Sequence, residues 1–248
     1  MRRAQLQMRN EKGAMEESPK RLERAQRILD AAAELVQRWG YKKTTVDDIA
    51  RQAGVAKGTI YLHWKTREAL FEALLTREWL IIARDLQQLV ASYSEEATLQ
   101  SWTRRIMAIV LGRPLIKAVL TGDRDILGEL LHSSNSAAIM QMRLNTGRTL
   151  LTQLRNSGMI RTDIDLERQL KMVLAIAIGF LTFDQYLPEP PQASAEEIAD
   201  MIAETLHGTF APQKPPAPAS VRAFISTFLQ QFEQLREHIQ KTQPEIVV

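Results

Sequence analysis

The residues best equipped for chemistry stand in one short run, Lys57-Gly58-Thr59-Ile60-Tyr61-Leu62-His63. Lysine, threonine, tyrosine and histidine side chains all donate hydrogen bonds to phosphate oxygens or base edges, and a glycine among them lets the backbone come close to a partner. This chemistry needs a helix short enough to lie in a groove. The preceding residues supply its support. Thr45 is a hydroxyl N-cap with Asp48 three residues later, where a capping box places its acidic partner, and Gly54 stops the helix so begun. Two short helices joined by a tight turn, with a third following at once, make a DNA-reading element over residues 44–67.

These helices need a core to hold them. Ser18-Pro19 is a cap followed by a proline at the first helical position. From there Leu22, Ala25, Ile28, Leu29, Ala32, Leu35, Val36 and Trp39 recur at three-to-four spacing until Gly40 supplies the stop. Ile49, Ala50, Ala53, Val55, Ile60, Leu62 and Trp64 complete a small three-helix core around that stripe. Thr66 caps a fourth helix, 67–92, long enough to leave the first domain and enter a second. Further helical patterns cover 97–111, 114–121, 124–132, 136–156, 166–186, 195–210 and 220–241, and no strand pattern competes. The fold class is all-α: an N-terminal three-helix helix-turn-helix domain and a C-terminal helical bundle for ligand binding and dimerisation. Its divisions are a flexible arm (1–17), the DNA-binding domain (18–66), the bundle (67–210), a proline-rich linker (211–219) and an additional helix (220–241).

Composition narrows the function. The 248 residues carry a net charge of +3 and no cysteine, which removes disulfides, thiolate metal sites and cysteine nucleophiles and suits a reducing cytoplasm. Residues 1–67 hold 15 Lys/Arg against 8 Asp/Glu, a balance of +7, whereas the remainder holds 17 against 21, a balance of −4. The basic excess therefore accompanies the reading element, which suits a polyanionic partner, although a solvated helical surface is also basic for solubility alone. The N-terminus lacks the apolar core of an export signal, and the longest apolar run, 172–183, is about half of the ~20 residues a membrane span needs. No membrane role is expected.

An enzyme is not expected either. There are 4 histidines, no HxxxH pair and no phosphate-binding glycine loop. Glu-x-x-His occurs at Glu129/His132 and Glu204/His207, a spacing also used by di-iron bundles, but both histidines stand at expected helix ends, where a cation favours the helix dipole. No metal and no cofactor are expected.

Residues 28–75, ILDAAAELVQRWGYKKTTVDDIARQAGVAKGTIYLHWKTREALFEALL, resemble the N-terminal domain of the TetR family of bacterial transcriptional regulators. The likeness lies in an alanine-rich first helix, an aromatic-glycine-aromatic stop, the Thr-Thr start, the Ile-Ala…Ala-Gly-Val turn, a Gly-Thr-Ile-Tyr recognition helix and an aromatic-Lys-x-Arg-Glu entry to the fourth helix. The resemblance implies a homodimer that places two recognition helices in successive major grooves of a palindromic operator in double-stranded DNA, half-sites roughly 34–36 Å apart. It also implies a small-molecule effector in the second domain that releases the DNA. By position, Thr45 contacts a phosphate and Thr44 assists; Lys57 contacts a guanine edge or a phosphate; Gly58 allows close approach. Thr59 meets a thymine methyl or a phosphate, Tyr61 and His63 meet phosphates, with a packed or solvated imidazole as the competing reading of His63, and Lys65 and Arg67 clamp the backbone.

The second domain is less explicit. An effector cavity is expected among the helices that carry Trp102, Ile106, Met107, Ile139, Met140, Met142, Met172, Phe180 and Phe183, a lining for apolar molecules, with Arg143, Asp184 and Tyr186 as candidate polar anchors. The same stripes equally suit plain core. The helix at 166–186 is apolar nearly all round, and Ala175, Ala177 and Gly179 permit close helix approach, so both the bundle core and a subunit interface are expected to cover it. The effector's identity is not encoded in any motif.

Overall fold

A computed structural model of the chain describes residues 2–91, 98–127, 134–189, 191, 193–243, 245 and 246; of 2–18, 90–91, 124–125, 134–140, 142–143 and 235 it describes the backbone alone. Every regular element among the described residues is helical: α1 (Arg2–Lys43), α2 (Val46–Ala53), α3 (Lys57–His63), α4 (Arg67–Ala91), α5 (Leu99–Leu111), α6 (Pro114–Thr121), α7 (Arg124–Leu127), α8 (Ser134–Asn156), α9 (Leu166–Thr182), α10 (Ala195–Phe210) and α11 (Pro218–Thr242). A 3-10 turn, Phe183–Tyr186, extends α9.

The head is built as its sequence requires. Gly40 leaves the helical region at φ 75°, ψ 164°, and ends the main run of α1. Thr45 and Asp48 close the capping box on α2, and Gly54 ends α2 in the left-handed region at φ 65°, where a side chain would be strained. Ile28, Leu29, Ile49, Ile60 and Leu70 are all within 1% of complete burial and form a continuous core over α1–α4. α1 differs from expectation at its start. It is continuous through Pro19, because residues 2–17 are mostly good helix formers broken only by Gly13.

α4 is the spine between head and bundle. Its buried Arg77 donates to Asp30 of α1 at 2.7 Å, and its Glu78 and Asp85 receive Arg113, at the α5–α6 turn, at 3.4 and 2.8 Å. The second core joins α4, α5, α6, α8, α9, α10 and α11 around Trp102, Ile116, Leu154, Ile202 and Phe210. α10 covers the expected 195–210, so His207 stands in its last turn and the helix runs on past Gly208. Phe210 is 2% exposed, and burying that ring in the last turn outweighs glycine's weak helix preference.

Candidate nucleic-acid interface

Burial divides α3 cleanly into two faces. Ile60, at 1% exposure, and Trp64 just after the helix, at 7%, turn into the head's core. On the opposite side lie Gly58 and, one turn on, Leu62, with Lys57 and Tyr61 exposed beside them. Nothing lies within 4 Å of the position a Cβ would take on Gly58, so the fold does not require a glycine there. Leu62 corrects the sequence reading: expected in the core, it is 70% exposed. The apolar period of this seven-residue helix is too short to separate a core leucine from an outward one.

Lys57 does not hang free. Its Nζ donates to Asp47 Oδ2 on α2 at 2.7 Å, and that carboxylate holds the ammonium above its usual pKa range. Asp47 thus holds the cation at the start of α3, a role its sequence position conceals, since it reads there as an ordinary first-turn acid. Thr45 is exposed at the N-terminus of α2, its Oγ1 accepting from Asp48 N at 3.1 Å. In return the Thr45 hydroxyl and backbone N–H donate to Asp48 Oδ2, and the hydroxyl bond above all lowers the Asp48 carboxyl below its ordinary range. Thr59 is half-buried, and Lys65 is exposed.

Two expected contacts are corrected. Thr44 is completely buried, and its hydroxyl donates to Gly40 O at 2.8 Å, so it secures the α1–α2 turn instead of facing a phosphate. Arg67 also turns inward. Its guanidinium donates to Tyr41 O and to Thr44 O (3.1 Å for the second) and lies 3.8 Å from the centroid of the Tyr41 ring. Stacked and doubly bonded, it locks the same turn.

His63 is half-buried at the end of α3, 5.3 Å from the Trp64 ring, and its Nδ1 has no hydrogen-bond partner among the described residues. Burial lowers its pKa, Arg21 and Arg24 on α1 lower it further, and Glu245 opposes them. The imidazole is therefore neutral near pH 7 and offers a donor, not a cation.

The effector candidates are less coherent. Trp102 is 2% exposed and packs edge-on to Phe224 and Phe228 of α11 at 5.2 and 5.5 Å. Met107 and Phe180 are half-buried against the same core. Asp184 is exposed on the 3-10 turn, so it does not serve as a buried anchor. The side chains of Met140 and Arg143 lie outside the described residues, as do those of Glu129 and His132. Among the described residues no three His, Asp or Glu side chains gather to hold a metal, and no helix is long and apolar enough to cross a membrane.

Comparison with known proteins adds a further line. Residues 28–74 match the model of the bacterial regulatory proteins of the tetR family. The chain is 30% identical over 155 residues to the fatty acid metabolism regulator protein of Bacillus subtilis, covering 59% of this chain and 75% of that protein. A helix-turn-helix transcriptional regulator of Mycobacterium tuberculosis is also 30% identical over 159 residues, covering 61% and 76%. Among solved structures, the Bacillus subtilis regulator FadR in complex with stearoyl-CoA aligns at TM-score 0.50 and 25% identity, covering 73% of this chain and 96% of that one. SmeT, the repressor of a Stenotrophomonas maltophilia multidrug efflux pump, shares the fold at TM-score 0.52 and 20% identity, covering 79% and 95%.

Proposed function

Since the chain belongs to the TetR family of bacterial transcriptional regulators and is itself a DNA-binding regulator, we propose that it works as a homodimeric repressor, released from a palindromic operator by an apolar effector. The observation that carries this reading is the outward face of α3. Lys57, Gly58, Tyr61 and Leu62 are exposed together while Ile60 and Trp64 anchor the helix behind them. In a major groove, Lys57 reaches a guanine edge or a phosphate, Tyr61 a phosphate, and the Leu62 side chain a thymine methyl. Gly58 brings the backbone close, and Thr45 and Lys65 hold the flanking phosphates.

The dimer reading is supported by the surface of α9. Ala175, Gly179, Phe183 and Tyr186 follow one another at helical spacing and are all exposed, the last two at 57% and 76%. A stripe of this kind, small residues first and aromatic ones after, fits an isologous contact with a second copy. Long-chain acyl-CoA is the effector class to examine first, because the relative's complex holds stearoyl-CoA and the second core of this chain is lined by apolar side chains. Selection of bound sequences from random duplexes is expected to enrich a palindrome, and stearoyl-CoA is expected to release the selected duplex. Enrichment of no sequence would reject the regulator reading in favour of a helical module without specific DNA recognition; a palindrome unaffected by acyl-CoA would reject only the effector.

A further inference from the structure

The last helix and the residues after it do more than cover the second core. α11 begins on that core, where Phe224 and Phe228 pack on Trp102 and Phe232 continues the stack 4.7 Å from Phe228. Twenty-five residues carry it about 37 Å. Its far end, Ile239, packs against the core of the head, and beyond it Ile246 is 1% exposed within that core. Beside Ile246 the backbone carbonyl of Glu245 accepts from Gln26 Nε2 at 3.0 Å, and the Glu245 carboxylate accepts from Arg21 Nη2, also at 3.0 Å. Gln26 Oε1 in turn lies 3.5 Å from Arg77 Nη1 on α4. A segment rooted in the bundle is thus fastened to the first helix of the head.

The place of fastening gives it a sign. Arg21 stands on α1, which shares the head's core with α3, and its side chain stays half exposed beside Glu245, so this ion pair lies on the surface of the head near the recognition helix, where both charges act on His63. We propose that Glu245 is an intramolecular competitor of DNA phosphate for Arg21, held in place by the burial of Ile246, so that the C-terminal strap lowers the affinity of the head for DNA. This rests on the DNA-binding reading given above. Bound to Glu245, Arg21 contributes no net charge to a phosphate. Released, it adds one cationic contact.

The test uses the full chain and the duplex selected from the random pool. Glu245→Gln is expected to bind about two- to fivefold tighter per head, the range of a partly exposed ion pair, and to steepen the slope of log K against log salt by about one per head, about two for the dimer. Ile246→Ser, which frees the strap without changing charge, is expected to give the same gain. In an Arg21→Ala background both gains are expected to vanish. Unchanged affinity and slope for Glu245→Gln would overturn the proposal, as would a gain that survives in Arg21→Ala, because that gain would be general charge. If Ile246→Ser unfolds the head, seen as lost helical signal, Glu245→Gln alone decides. A protein that selects no duplex would remove the DNA-binding reading and this proposal with it, whereas a normal palindrome with no response to Glu245→Gln removes only the proposal.

Discussion

The head and the bundle solve opposite problems. In the head the apolar side chains are closed away, Ile28, Leu29 and Ile49 at 0% exposure, and what remains outward on α3 is short, polar and mixed with one leucine. In the bundle, α9 and the 3-10 turn after it carry a run in which Leu170 and Leu181 are buried while Ala175, Gly179, Phe183 and Tyr186 stay open. A rigid polyanion can be met by a small set of donors in fixed spacing, and such a set does not depend on distant parts of the chain. A second copy of the chain, or an apolar effector, is met by a surface assembled from several helices. The head therefore states its partner locally, and the bundle does so only through packing.

The largest way to break this comparison is to remove the local donors. The double substitution Lys57→Ala, Tyr61→Ala is expected to reduce binding of the selected duplex to the non-specific level, a loss of about a thousandfold or more, since both half-sites of a dimer lose the same contacts. Circular dichroism and sedimentation should be unchanged, because both side chains are exposed. Retained specific binding would show that α3 is not the reader.

Next in size is the open stripe of α9. Phe183→Asp places a charge in the proposed interface without touching the head. A shift from dimer to monomer in sedimentation is expected, with duplex binding weakened about a hundredfold through loss of the linked second half-site. A protein that stays dimeric would move the interface away from α9.

The same contrast explains what could be read from the amino-acid order. The capping box at Thr45 and Asp48 and the stop at Gly54 were legible because each is a local hydrogen-bonding or backbone rule. Thr44 and Arg67 resemble DNA contacts in the sequence because their partners, Gly40 O, Tyr41 O and the Tyr41 ring, lie across a turn whose closure no local rule describes. Asp47 was invisible until α2 and α3 stood side by side and brought it to Lys57. In the bundle, Asp184 looked like an anchor beside Phe183, but the chain leaves α9 through a 3-10 turn that puts it in solvent. The strap from α11 to Arg21 was beyond reach altogether, since its partners are 224 residues apart.

Leu62 sharpens the comparison from the side of the DNA. An exposed leucine costs solubility and adds nothing to the head's core, and on the outward face of α3 it fits an apolar contact with a thymine methyl. Leu62→Ala is expected to weaken the selected duplex about fivefold per half-site. Replacing each thymine of the half-site in turn by uracil, which lacks the methyl, should reproduce that loss at one position in the unaltered protein and have no effect there in Leu62→Ala. Equal uracil sensitivity in both proteins would assign the methyl to another side chain.

The smallest effect belongs to His63 and depends on pH. In the free protein burial, Arg21 and Arg24 keep its pKa below the ordinary imidazole value of about 6.5, with Glu245 in partial opposition. The folded form thus holds fewer protons than the unfolded one between that lowered value and about pH 6.5. The contribution of His63 to stability is full above pH 6.5 and is lost as the pH falls through this window. DNA reverses the pull, because nearby phosphates favour the imidazolium and binding then takes up a proton. Affinity for the selected duplex is expected to rise about two- to threefold from pH 7.5 to 6.5, the scale of one partly exposed charge contact. His63→Gln should remove that rise while keeping a neutral donor in place. A pH dependence that persists unchanged in His63→Gln would place the proton elsewhere and leave His63 as packing against Trp64.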